Sequence, residues 1–204
     1  MIRLFRSADS GAIRKIYAPY ILNTAVSFET EVPDEDSFRA RCEKIASAYP
    51  YLIYEADGVV AGYAYATQHR ERAAYRYGVD VSVYLAPEYQ HMGIAKQLYD
   101  ALFALLGRLG YYIAYACITM PNEASKRFHE KCGFELIGTH RNTGYKFGKW
   151  RDVIWMEKAL RDHAETPGEI MVIGDLREEE IASIVQRCVT PLPPCHCGLD
   201  PQSG

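Results

Sequence analysis

The sequence predicts a mixed α/β domain, and three observations carry that expectation. Over the first 160 residues the hydrophobic period switches repeatedly between the helical 3.6 and the strand-like 2. Asp57-Gly58, set between two alternating apolar runs, is a strong hairpin signal. A polar, glycine-containing turn, Gln90-His91-Met92-Gly93-Ile94-Ala95, joins a valine-rich strand-like run to an amphipathic helical run. The 204 residues allow one domain with a substantial core. A net charge of −3 gives no reason to expect a nucleic acid. No apolar run approaches the roughly 20 residues of a membrane helix, and Met1-Ile2-Arg3-Leu4-Phe5-Arg6 lacks the pattern of a signal peptide. The expectation is a cytoplasmic protein with no nucleic-acid or membrane partner.

Ile2–Phe5 reads as a short strand. A helix follows from about Asp9 to Asn23, capped by Ser7 or Asp9, with apolar residues at Ile13, Ile16, Tyr17, Tyr20 and Ile21. Pro19 lies inside that pattern and predicts a kink or break. Pro33-Asp34-Glu35-Asp36 opens a second helix, acidic at its start as the helix dipole favours, ending near Tyr49-Pro50. Tyr51–Ala56 and Val59–Gln68 flank the hairpin turn, and a third strand runs from about Tyr75 to Leu85. The helix from Ile94 carries Leu98, Ala101, Leu102, Leu105, Leu106 and Leu109 on one side and stops at Gly110. Tyr111–Thr119 reads as a buried strand. Asn122 or Ser125 starts a short helix that Gly133 ends, and two strands close the domain, Phe134–Tyr145 and Trp150–Glu157.

The domain is expected to span residues 1–160, with residues 161–204 an extension. Leu176–Cys188 is a candidate short acidic helix, and the end, TPLPPCHCGLDPQSG, has the composition of a disordered segment. Deleting the extension is expected to leave activity intact. The six cysteines are expected to be reduced. Cys195-His196-Cys197 forms a cluster without a second pair to complete a metal site, so no metal is expected.

The turn at Gln90 to Ala95 has two readings on its own. A helix start leaves about four backbone N–H groups unpartnered and slightly positive, and a glycine there lets a phosphate approach. A capped helix that happens to contain glycine explains the same residues. The flanks separate the readings. The turn has the form Gln-x-x-Gly-x-Ala, and "RFHEKCGF" follows after a buried strand and Asn122-Glu123-Ala124-Ser125. With these the chain resembles the GCN5-related N-acetyltransferase family across about Ile2 to Leu160. Within it, "IYAPYILNTAVSFETE", "AGYAYATQHRERAAYRYGVDVSVYL" and "GTHRNTGYKFGKWRDVIWMEKAL" are similar to phosphinothricin and methionine sulfoximine acetyltransferases.

That resemblance implies a central, mixed, mostly antiparallel sheet with a splayed parallel strand pair and flanking helices. It implies acetyl-CoA as cosubstrate, in the gap between Asp80–Leu85 and Tyr111–Thr119. Pantetheine would pair with the edge of Val83, Tyr84 and Leu85. The pyrophosphate would sit on the amides of His91, Met92, Gly93, Ile94, Ala95 and Lys96, with Asn122 and the nearby Ser125 on the pantetheine arm. Gln90 stands where relatives often have Arg, a departure that the backbone cradle tolerates.

Asp80 falls on the family's catalytic Glu, and its shorter side chain suits a water-relayed proton transfer. The bland alternative is an ordinary strand-start carboxylate. Oxyanion stabilisation is expected from a backbone N–H near Leu85. His129 falls where relatives place a Tyr that reprotonates the thiolate, with an exposed helix histidine the alternative and Tyr115 and Tyr145 the other phenols. Arg70, Arg72, Tyr75 and Arg76 are candidates for binding an anionic acceptor, or a solvated loop. Phe28 and Glu29 match a family Phe-Glu that shapes the acceptor pocket, Glu29 as a holder of the ammonium. Lys146 is expected near the same pocket, in one subunit or across the interface of a homodimer. Cys117 is expected to be an inert buried thiol. The expected function is N-acetylation of a small amino-acid analogue. A peptide N-terminal acetyltransferase and a non-catalytic acetyl-CoA-binding module are the alternatives.

Overall fold

The computed structural model describes residues 1–189; the Cys195-His196-Cys197 cluster and the proline-rich end lie outside them. Seven strands form one sheet: β1 (Ile2–Leu4), β2 (Tyr51–Ala56), β3 (Val59–Gln68), β4 (Gly78–Leu85), β5 (Ile113–Thr119), β6 (Glu135–Lys146) and β7 (Lys149–Ala159). Their spatial order is β1-β2-β3-β4-β5-β7-β6, antiparallel except for the pair β4–β5. The helices are α1 (Ser10–Asn23), α2 (Glu35–Ala48), α3 (Ile94–Leu109), α4 (Glu123–Lys131) and α5 (Glu178–Cys188). The expected element order through residue 160 and the mixed sheet are therefore present.

Local chemistry explains the boundaries. Asp57 and Gly58 both adopt left-handed backbone (φ 50° and 79°), as a tight hairpin between right-twisted strands requires. The Asp34 side chain accepts from the Ser37 N–H and caps α2, whose first turn is acidic. Gly110, at φ 101°, ends α3. α1 runs through Pro19 without a break in its helical span. The missing proline N–H removes one ladder bond, and burial of Ile13, Ile16, Tyr17 and Ile21 against the sheet outweighs it.

Each sheet face has its own core. On one, Ile13, Tyr17, Ile21, Phe38 and Cys42 from α1 and α2 pack on Tyr51, Ile53 and Tyr63. On the other, α3 buries Leu98, Leu102, Leu105, Leu106 and Leu109 against β2, β3 and β4. α5 belongs to this second core: Ile181, Ile184 and Val185, with Ile173 and Leu176 before them, pack with the leucines of α3. Arg108 Nε meets Glu180 Oε1 at 2.6 Å, and the Met171 N–H donates to the Leu109 carbonyl at 2.9 Å. The segment expected to be an appendage beyond Leu160 is thus a cover for α3. Among the described residues no helix is long and apolar enough to cross a membrane.

This cover should be measurable. Ile184→Ala removes buried side-chain volume between α5 and α3 and is expected to cost about 2–5 kcal/mol in denaturant unfolding. Truncation at Leu160 should destabilise the domain further, so a truncated chain with unchanged unfolding midpoint would show that α5 is an ornament.

Candidate functional site

β4 and β5 are paired only at Gly78↔Ile113, Val79↔Ala114 and Asp80↔Tyr115. Beyond Asp80 the strands part, β4 continuing to Leu85 and β5 to Thr119. The Ala86 N–H donates to the Ala61 carbonyl, and the β3–β4 ladder alternates without interruption from there. By that alternation Ser82 and Tyr84 spend their backbone groups on β3, whereas Val81, Val83 and Leu85 aim theirs into the gap. The free edge is thus at Val83 and Leu85, while Tyr84 contributes its side chain and not its backbone. The Leu85 carbonyl is taken: the Tyr20 hydroxyl donates to it at 2.7 Å, and Gln90 Nε2 donates to that hydroxyl at 3.1 Å. Gln90, expected to be dispensable, ties the turn to α1 and β4.

A cleft of about 510 Å³ fills the gap and reaches the start of α3. Val83, Leu85, Gln90, His91, Gly93, Ala95, Lys96, Asn122, Ser125 and His129 all line it, so sequence-predicted residues from four segments converge there. His91 and Gly93 both have left-handed backbone (φ 63° and 79°). The first helical bond runs from the Gln97 N–H to the Gly93 carbonyl, which leaves the amides of Ile94, Ala95 and Lys96 without partners inside the helix. The Ile94 side chain is buried, so Ile94 can serve a ligand only through its backbone, and Met92 is exposed. The Asn122 side chain caps α4 by accepting from the Ser125 N–H, at 3.2 Å. Lys96 Nζ lies 2.6 Å from Asp100 on the surface of α3.

Asp80 lies at the last paired position, immediately before the cleft-lining Val81 and Ser82. Its Oδ1 is 2.6 Å from His69 Nδ1. Burial pushes the Asp80 carboxyl above its ordinary value, against the opposing hydrogen bond from His69 and the charge of Arg70. A half-buried carboxylate raised in this way is a stronger base than one in water. The His69 ring stacks on Tyr115 (centroids 4.1 Å apart) and meets the Trp155 ring edge-on at 5.7 Å. His69 was not among the expected site residues. It is the diagonal neighbour of Asp80, since Asp80 faces Thr67 across the ladder and His69 is two residues on.

Four expectations are corrected. His129 is buried, not exposed: its Nδ1–H donates to the Ser125 carbonyl at 2.8 Å and Nε2 lies 3.1 Å from the Tyr99 hydroxyl. Burial lowers its pKa, and both ring nitrogens are engaged within the protein, which does not favour it as the donor to a thiolate. Lys146 is not a substrate ligand. It is 5% exposed, and its ammonium donates to the carbonyls of Ile21, Ser27 and Glu29 at 2.6–2.7 Å. The Glu29 carboxylate is committed to Arg41 (2.7 Å) and to the Tyr17 hydroxyl (3.1 Å), away from any acceptor amine. Cys117 is exposed on the cleft wall instead of buried, although its surroundings and the Asp80 charge push its thiol up to about 11.

The remaining acceptor-side residues divide. Phe28 is exposed and lies over Gly144, where a Cβ would collide with its ring. Arg70 and Tyr75 stand beside His69, Arg70 lining a smaller cavity of about 180 Å³ with Tyr115, His140 and Trp155. Arg76 is turned onto Tyr77, donating to its hydroxyl at 2.8 Å, and Arg72 is exposed in the same loop. Tyr145 is exposed on β6, and Tyr115 is committed to the His69 stack. Among the described residues no three His, Cys, Asp or Glu side chains cluster as a metal site would require.

A parted parallel strand pair, a helix start with open amides at its mouth and a basic carboxylate on the same strand define an acyl-transfer type of site. The model of the acetyltransferase (GNAT) domain matches residues 2–155, and the chain belongs to that family. It is an N-acetyltransferase. It is 37% identical over 169 residues to phosphinothricin N-acetyltransferase of Alcaligenes faecalis, covering 78% of this chain and 82% of that one. It is 35% identical over 164 residues to the L-methionine sulfoximine/L-methionine sulfone acetyltransferase of Salmonella typhimurium, covering 80% and 96%. The structure of a phosphinothricin acetyltransferase from Sinorhizobium meliloti in complex with acetyl-CoA superposes with a TM-score of 0.79 at 34% identity, covering 87% and 97%.

The Lys146 clamp can be tested apart from turnover. Lys146→Met leaves three buried carbonyls unpartnered and is expected to destabilise the fold by about 1–3 kcal/mol. Hydrogen exchange should quicken first in residues 24–29; exchange confined to the β6–β7 turn would contradict the clamp.

Proposed function

We propose that the chain transfers the acetyl group of acetyl-CoA directly to the α-amino group of a small anionic amino-acid analogue, with methionine sulfoximine, methionine sulfone and phosphinothricin as candidates. The observation that carries this is the free backbone edge at Val83 and Leu85, opening onto the amides of Ile94 to Lys96 and flanked by Asp80. Proteins similar to this chain are named for these acceptors, and one solved structure among them holds acetyl-CoA.

The chemistry assigns a task to each group. The Val83 edge pairs with the amide arm of the thioester, and the α3 amides hold its pyrophosphate. An acceptor enters as an ammonium, which has no lone pair to attack with. Asp80 takes one proton from it, directly or through a water. The nitrogen then attacks the thioester carbonyl carbon, and the Leu85 N–H donates to the oxygen as negative charge develops there. As the carbon–sulfur bond breaks, the nitrogen gives up its second proton to become an amide, and the departing thiolate takes up one proton, directly or through solvent. Arg70, with Tyr75 beside it, offers a cation near the reacting centre for an anionic group of the acceptor.

Thiol release from acetyl-CoA should be followed with methionine sulfoximine, phosphinothricin, ordinary amino acids and a short peptide. Turnover on the analogues is expected. Turnover on peptide alone would overturn the acceptor assignment, and saturable acetyl-CoA binding with no turnover on any amine would overturn the reaction. Because burial raises Asp80, kcat/KM should climb with pH through a limb above the ordinary carboxylate range. Asp80→Ala should lower kcat by about 10²–10⁴ and remove that limb, with partial rescue at high pH.

We also propose a homodimer formed through the β6–β7 hairpin. Leu136, Ile137, Tyr145, Phe147 and Trp150 are all exposed there, more apolar surface than a free hairpin ordinarily carries. Light scattering should give twice the monomer mass, and Trp150→Glu should shift it towards monomer. A monomeric wild type at micromolar concentration would end this proposal.

A further inference from the structure

Asp80 is one methylene shorter than a glutamate, so the direction of its carboxylate decides whether either oxygen reaches the gap between β4 and β5. Only Oδ1 has a protein partner, His69 Nδ1 at 2.6 Å. The imidazole itself has little freedom. Tyr115 stacks on one face at 22° between planes, Trp155 meets it at 79°, and Tyr75 closes a further side at 6.5 Å. The His69 side chain is 11% exposed. Its three aromatic neighbours come from the loop before β4, from β5 and from β7, so several elements fix one ring.

We propose that His69 is a positioning residue of the transfer reaction: its Nδ1–H holds Oδ1 of Asp80, so that Oδ2 is the atom offered to the acceptor ammonium or to a bridging water. The role rests on the reading of Asp80 as the base. A hydrogen bond to a carboxylate both orients it and stabilises its charged form, so His69 sets the direction and the strength of that base together. The other titratable and charged groups facing the pair are Arg70 beyond the end of β3, Tyr75 in the loop, Tyr115 and Cys117 on β5, and His140 on β6 in the adjoining cavity. Glu157 on β7 is the cross-strand partner of Tyr115. None of them supplies Asp80 with a second hydrogen bond.

The test compares two substitutions. His69→Phe keeps a flat ring in the stack but cannot donate. His69→Asn places an amide N–H where Nδ1–H stood. With His69→Phe, kcat should fall about tenfold or more while the acceptor KM and acetyl-CoA affinity stay within about twofold. The acid limb of the pH profile should move to higher pH, because Asp80 keeps its burial and loses the bond that opposes it. His69→Asn should restore kcat to within a few-fold and return the limb towards wild type. Should the Phe variant not fold, His69→Leu serves as the donorless form. A donorless variant with wild-type kcat and an unmoved limb would overturn the proposal, as would an Asn variant no better than the donorless one. Asp80→Ala separates the two layers: full activity in that variant sinks the base itself, whereas its inactivity beside unaffected His69 variants sinks only the positioning role.

Discussion

The parting of β4 from β5 after three residue pairs is the constraint on which the rest of the site depends. A sheet that stops pairing in its middle exposes peptide groups, and such groups must be met by water or by a ligand. At a sheet edge they would meet bulk water. Here they face a cleft walled by the ends of α3 and α4, so a ligand with its own amides can replace the missing strand. Tyr99, packed against Phe128, His129 and Phe134, lines the cleft and joins α3 to α4.

The period of two along β4 then divides labour within one strand. Val79, Val81 and Leu85 point into the core beneath α3 and anchor the strand. Asp80 and Ser82 point to the opposite face, where the sheet is not covered by leucines. Asp80, the proposed base, is therefore anchored by the core that holds its neighbours, while its own side chain stays 32% exposed. α5 extends the same rigidity to the other half of the site, because it packs on the helix whose first turn carries the amide cradle.

How much of this was legible in the sequence depended on whether the determining contacts were local. The hairpin at Asp57-Gly58, the stop at Gly110 and the cap at Asn122 are set by residues a few positions apart, and all were readable. The cradle turn became readable from its flanks. The register between β3 and β4 was not, because the nine residues between those strands include no short hairpin turn to fix it. Without the register, His69 is one polar residue in a run of arginines; with it, His69 is next to Asp80. Lys146 was misplaced for the same reason. Its partners, Ile21, Ser27 and Glu29, lie more than a hundred residues away, and only the closed fold shows that they are carbonyls and not a ligand. α5 was undervalued because a short amphipathic helix reads the same whether or not something receives its apolar face.

Lys146 also bears on how the acceptor is held. An ammonium bonded to three carbonyls, one of them at the end of α1, uses all three of its donors and leaves none for a substrate. The same clamp pins the backbone of Ser27 and Glu29, and with Arg41 and Tyr17 on its side chain Glu29 turns towards α2. What the loop presents outward is apolar: Val26 at the cleft and Phe28 above Gly144. A wall of that kind offers an ammonium no carboxylate to pair with and no base to take its proton. On the proposed reading the amine is steered towards the carboxylate at the strand fork, the group that would also take its proton. On that reading binding and deprotonation fall to one residue, Asp80, whose geometry would then matter more than in a site where a second carboxylate shares the task.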